Sequence, residues 1–253
     1  MMPISSPPTV AGVRGRTIAH LDDTVATMIP NQVVDRSRPD HGGWFSPELG
    51  FASPYHVGNA RFVALLGQAY ATDGSAYYGS SDALDRLLLA IEFQKRCMRP
   101  SGFTDLPFTN FDSPTDTAFS LAAIGRALWM ARANPGVDAA PLDEAFESYL
   151  VPSASAVREG GFHTPNHRWV VVAALSQVAE LYPDLDVKSA IDAYLAEGID
   201  VNRDGQYSER SNGGYNAVCN SHLLQAYEVL GREEIIDAVR RNLNYMLTMF
   251  HDD

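Results

Sequence analysis

Apolar residues recur at i, i+3, i+4 and i+7 through most of this chain, the spacing that lines one face of an α-helix. The pattern predicts helices over 58–71, 81–97, 116–133, 142–149, 166–182, 187–197, 215–230 and 233–250. Two of these have readable starts. Ser113-Pro114 and Thr164-Pro165 each set a small hydroxyl residue before a proline, as at N-cap and N1. No run alternates with period two, so the expected fold class is all-α. Residues 30–55 are rich in Gly, Pro and Asp and read as one long loop. Residues 1–16 are rich in Pro, Ser and Gly and read as a flexible N-terminal arm, leaving 17–253 as the helical domain.

The helices come in pairs, and the first members of the pairs resemble one another. Asn59-Ala-Arg-Phe62, Asp116-Thr-Ala-Phe119, Asn166-His-Arg-Trp169 and Asn216-Ala-Val-Cys219 each open with a polar residue. Each places a bulkier apolar residue three positions on and continues rich in Ala and Leu. The spacing is roughly fifty residues, the length of two helices and two loops, as in a helical-hairpin array. The expected architecture is therefore an incomplete (α/α) toroid or horseshoe. Equivalent helices would then bring their N-termini to one face, where unpaired backbone N–H groups carry partial positive charge and favour a carboxylate. A plain α-solenoid scaffold would show the same repeat and no chemistry.

Composition narrows the partners. There are 19 Lys and Arg against 31 Asp and Glu, a formal charge of −12. An acidic surface without a Lys/Arg run disfavours nucleic acid. It also repels a polyanionic glycan at long range, so a polyuronate would need a locally positive cleft. No apolar stretch approaches the roughly 18 residues of a membrane span. Residues 1–16 contain no apolar segment of a secretory signal, so the expected compartment is the cytoplasm. The two cysteines, Cys97 and Cys219, lie in apolar helical patterns and read as buried free thiols.

Polar residues concentrate at helix starts. Asn166 and His167 open one inner-type helix, preceded by His163, and Tyr215 opens the next. Before Tyr215 runs Asp204-Gly-Gln-Tyr-Ser-Glu-Arg-Ser-Asn-Gly-Gly, a polar, glycine-bearing loop of the kind that binds ligands. Asn59 and Asp116 are the repeat equivalents of Asn166, so they face the same cleft if the repeat holds. Tyr55 and His56 precede the first repeat in the same way. Trp44, in a Gly-Gly-Trp-Phe segment, reads equally as a sugar-stacking residue or as a loop anchor. Taken singly, each of these residues has an ordinary explanation: a cap for Asn166, a satisfied histidine for His167, a packing ring for Tyr215. Asp200-Val-Asn-Arg-Asp-Gly mimics the start of an EF-hand, but position twelve is Ser211, where that loop requires Glu.

The Asn166-His167 pair, followed by D-G-x-x-x-E-x-S from Asp204 to Ser211 and then by Tyr215, resembles the heparinase II/III and alginate lyase superfamily of polysaccharide lyases. The likeness is specific over 165–250 and stylistic before that. It implies β-elimination on an acidic oligo- or polysaccharide containing uronic acid, with no metal and no cofactor. Asn166 and His167 would neutralise the sugar carboxylate, which lowers the cost of charge developing beside it as the C5 proton leaves. Tyr215 would transfer protons, first of all to the leaving O4. A free tyrosine has a pKa of about 10, so a base role needs neighbouring positive charge. Arg168, Arg210 and His163 are the local candidates, and Tyr207 and Glu209 complete the loop side of the site.

Superfamily members usually carry a β-sheet domain after the toroid; this sequence stops just after its last expected helix and reads either as a fragment or as a short form lacking that domain. The expectation is thus an open horseshoe, with activity of the isolated chain left undecided. Two other functions stay open: a hydrolase of the unsaturated-uronide type using Asp112 and Asp116, and a non-catalytic carbohydrate-binding or scaffold domain.

Overall fold

The computed structural model describes residues 9–160 and 164–249. Among them the chain is all-α apart from two small hairpins. The nine helices are α1 (Val10–Met28), α2 (Asn59–Ala71), α3 (Ser81–Cys97), α4 (Pro114–Ala133), α5 (Ala140–Arg158), α6 (Pro165–Leu181), α7 (Lys188–Ala196), α8 (Gly214–Leu230) and α9 (Glu233–Leu247). The eight helices expected from apolar spacing are all present. Their starts follow local chemistry. Ser80 caps α3 by accepting from the Ala83 N–H, and Ser113 caps α4 ahead of Pro114. Gly231, left-handed at φ 62°, ends α8 in the conformation that favours glycine.

The structure departs from the sequence expectation in three ways. Helix α1 begins at Val10, inside the stretch read as an arm. Of α1 only Val25 and Met28 are buried, too few to raise a clear apolar stripe, and polar ties fix it instead. Asp22 accepts from Ser75 Oγ (2.6 Å) and the Ala76 N–H (2.8 Å). Helix α5 runs past Pro152 to Arg158. An interior proline costs about 3 kcal/mol, but Leu150, Ala154 and Val157 beyond and before it are fully buried. Ser153 Oγ also donates to the Gly102 carbonyl at 3.0 Å. Burial of that second half outweighs the break. Finally, β1 (Phe45–Ser46) pairs antiparallel with β2 (Phe51–Ala52), and β3 (Thr104–Leu106) with β4 (Asn110–Ser113). Strands of two to four residues are too short to show a period.

Helix α2 packs on α4, α4 on α6 and α6 on α8, while α3, α5, α7 and α9 each pack on the helix before them. Gly67 sets the approach of α2 to α4: a Cβ there would lie 2.6 Å from the Ala127 Cβ. Helix α6 is buried along nearly its whole length, from Asn166 through Val178 with only His167 partly open. A helix buried on all sides belongs to a core, and Val170, Val171 and Val172 are at most 1% exposed. Side chains of α4 and α8 meet across it. Arg126 pairs with Glu228, and Phe119 meets His222.

Candidate functional site

The contacts that join the starts of α2, α4 and α6 to α8 centre on one ring. Phe119, in the second turn of α4, stacks on His56 with centroids 4.8 Å apart and planes 28° apart. It meets His167 edge-on at 5.8 Å and His222 edge-on at 5.6 Å. Three imidazoles from three segments thus surround one phenyl ring. Tyr55 stands edge-on to His56 at 5.6 Å and to Phe108 at 6.0 Å. The ring cluster thereby extends to the exposed turn between β3 and β4, where Phe108 is 59% exposed.

Asp116 supplies the charge at this centre. Its Oδ1 lies 3.2 Å from His56 Nδ1, and its Oδ2 accepts from Ser113 Oγ at 2.6 Å. Burial would raise its pKa, but the bonds from His56 and Ser113 and the nearby imidazoles hold it below the usual carboxylate value. The His167 pKa is lowered, chiefly by burial, against the pull of Glu209 and Asp116. The His222 pKa is also lowered by burial, against its bond with the Val218 carbonyl (2.8 Å). Both rings are therefore driven toward the neutral form, able to donate from one nitrogen and accept at the other.

The sign of the pH dependence follows. A histidine whose folded pKa lies below its unfolded value of about 6.5 stabilises the fold fully above that value. That stability is lost as pH falls below it, because the unfolded chain takes up the proton first. Asp116 acts lower, its contribution being lost as pH falls through and below the ordinary range near 3.8. The melting temperature should therefore drop between pH 7.5 and 5. A His222→Gln variant should show a shallower drop in thermal unfolding, and an unchanged slope would contradict the assignment of His222 as a contributor.

Asn166 is 2% exposed and faces a carboxylate already. Its Nδ2 donates to Glu209 Oε1 at 2.6 Å, and its backbone N–H donates to Glu209 Oε2 at 3.2 Å. Thr164 makes no side-chain cap, so Glu209, reaching over from the loop before α8, caps α6 instead. Tyr215 is half exposed in the first turn of α8. It stands seven residues before His222, which places both on one face of the helix about 10 Å apart along its axis. His222 meets Phe119, so that face turns toward the imidazole cluster.

The other expected site residues have different surroundings. Asn59 is fully buried: Oδ1 accepts from the Trp44 N–H (3.1 Å), and Nδ2 donates to the Ala90 carbonyl (3.0 Å) and to Gln94 Oε1 (2.9 Å). Its polar group joins the long loop to α3 rather than facing a ligand. Trp44 is the loop anchor of the two readings, donating from Nε1 to the Met28 carbonyl (3.1 Å) and packing on the core. Arg168 is 6% exposed, pairs with Glu197 (2.9 Å) and Asp200 (3.0 Å), and lies over the Trp169 ring. A guanidinium held by two carboxylates carries no net positive charge to a substrate. Tyr207 is 1% exposed, its hydroxyl donating to Asn220 Oδ1 (2.9 Å), and burial raises its pKa. Arg210 is exposed with φ 53° and lines a hollow with Asp200, Asn202, Gln206 and Ser208. His163 lies outside the described residues.

His222 is the member that spacing did not single out, although its position two turns after Tyr215 is visible in the sequence. Asp112, the other acid considered for hydrolysis, sits apart on β4, where its N–H donates to Asp105 (2.8 Å) and Arg99 is 4.0 Å away. Among the described residues no three His, Cys, Asp or Glu side chains are grouped to hold a metal ion, and no helix is long and apolar enough to cross a membrane. Neither a family model nor a curated protein matches the chain.

Proposed function

We propose that this chain is a polysaccharide lyase-like domain acting by β-elimination on a uronic-acid-containing glycan. In this reading the four helix pairs are repeats of an incomplete (α/α) toroid, with α2, α4, α6 and α8 on its inner side. The successive packing of those helices and the reach of Arg126 to Glu228 support such curvature.

The chemical reading is carried by Tyr215, a half-exposed phenol whose seven-residue spacing from His222 sets it on the helix face that meets the His56, His167 and Phe119 cluster. Elimination needs donors for a carboxylate, a base for the C5 proton and an acid for O4. The start of α6 already holds a carboxylate by one amide and one N–H, and a uronate would take the place of Glu209 there. His167, neutral and adjacent, adds a donor. Preorganised donors of this kind are worth on the order of 3 kcal/mol each when aimed at developing charge. Tyr215 delivers the proton to O4.

Hydrolysis is less well supported. It calls for one carboxyl group kept protonated as an acid. Asp116 is instead held ionised by His56 and Ser113, and Asp112 sits on β4 beside Arg99, apart from the imidazole cluster.

Incubating the protein with alginate, heparan sulfate, chondroitin and bacterial polyuronates should give the ultraviolet absorbance of a C4–C5 double bond on at least one of them. No new absorbance on any would remove the lyase reading. Glycan binding that survives Asn166→Ala and His167→Ala would favour a binding domain in its place.

A further inference from the structure

His56 precedes α2 and Asp116 lies in the first turn of α4, yet the two form a hydrogen-bonded pair at 3.2 Å. Asp116 is 7% exposed and is itself fixed, since its second oxygen accepts from Ser113 Oγ. Ser113 is anchored in turn. Its carbonyl accepts from Thr117 Oγ1 (2.6 Å), which accepts from the Thr104 N–H of β3 (2.8 Å). The imidazole plane is held by stacking on Phe119 and by the edge of Tyr55. An ionised carboxylate on Nδ1 selects the tautomer with the proton on Nδ1 and the lone pair on Nε2. Nε2 has no hydrogen-bond partner among the described residues, and one third of the side chain is exposed. A histidine so oriented is the arrangement that general-base catalysis requires: fixed geometry, fixed tautomer, and a buried anion that stabilises the imidazolium once formed.

We infer that His56 is a further catalytic residue of this site, the base, with Asp116 as its positioning residue. The inference rests on the elimination reading for the identity of the proton removed. His56 Nε2 takes the C5 proton, and the C5–H electron pair becomes the C4–C5 double bond. The C4–O4 bond breaks, and the Tyr215 hydroxyl protonates O4. The imidazolium then returns its proton, through solvent, to the phenolate. Base and acid are thereby separate groups, and Tyr215 need not ionise before the reaction begins.

The test uses the whole chain, with His56→Gln and Asp116→Asn beside the wild type, and thermal unfolding confirming that each folds. On whichever polyuronate of the panel is cleaved, His56→Gln should lower kcat about 100-fold or more with little change in KM. It should also remove the acidic limb of the kcat/KM pH profile. Asp116→Asn should lower kcat less, and imidazole nitrogen NMR should show the His56 proton leaving Nδ1 for a mixture of tautomers. If His56→Gln cleaves at the wild-type rate with its acidic limb intact while Tyr215→Phe does not, the lyase stands and His56 is not its base. A His56 proton found on Nε2 in the wild type also overturns the inference. No cleavage by the wild type on any glycan removes the elimination reading itself, and His56's role with it. Should His56→Gln not fold, the Asp116→Asn rate and tautomer decide alone.

Discussion

Replacing Tyr215 by phenylalanine should reduce elimination by about 100- to 10,000-fold, the range that general acid catalysis contributes. The substitution removes one oxygen and little else. Tyr215 is half exposed, and its backbone N–H donates to Ser211 Oγ at 3.3 Å in either variant. Surface changes of this kind lie within about 0.5 kcal/mol of neutral, so the melting temperature should not move. The consequence of losing the phenol is specific to the mechanism. Without an acid the C4 oxygen must leave as an alkoxide, and the barrier rises at bond cleavage rather than at binding. The expected signature is a fall in kcat with KM preserved. A hydrolase relying on Asp116 would be indifferent to the change. Cleavage at near wild-type rate by Tyr215→Phe would rule out the phenol as the acid, whatever the substrate.

The largest effect on stability is expected at Asn59. Asn59→Ala removes three buried hydrogen bonds and leaves the Trp44 N–H, the Ala90 carbonyl and Gln94 Oε1 short of a partner. Gln94 is also tied to the Pro54 carbonyl (2.7 Å) and to the Tyr149 hydroxyl (3.4 Å), so the network links the long loop, α2, α3 and α5. A buried group left unsatisfied costs about 1–3 kcal/mol, and together these orphans should cost roughly 2–4 kcal/mol because water entering the cavity would satisfy some of them. Urea unfolding should show a lower midpoint with an unchanged m-value. The folded fraction should keep its catalytic constants. A loss of glycan affinity with full stability would instead return Asn59 to the binding site.

Asn59 and Asn166 show how far repeat equivalence can be read. Both open inner helices with the same residue, and both amides are buried. One amide meets Gln94 of α3, the other Glu209 of a loop over forty residues on in the chain. Equivalent positions thus share burial without sharing partners, because the partner comes from whichever segment the connecting loops lay across the helix start. Arg168 gives the same lesson for charge. As a residue it offered a cation beside His167, but its place one step around α6 turns it toward Glu197 and Asp200, which neutralise it.

Apolar periodicity, helped by the hydroxyl-proline starts at Ser113-Pro114 and Thr164-Pro165, determined the all-α class and eight of the nine helices, because those signals act within a few residues of themselves. They also determined that Asn166, His167 and Tyr215 stand at helix starts. Only the tertiary structure decided that α5 continues through Pro152, that Glu209 caps α6, and that His56, His167 and His222 gather around Phe119 with Asp116 bonded to His56. Each of these depends on groups dozens of residues apart, whose meeting is set by helix packing and burial rather than by any local preference of the chain.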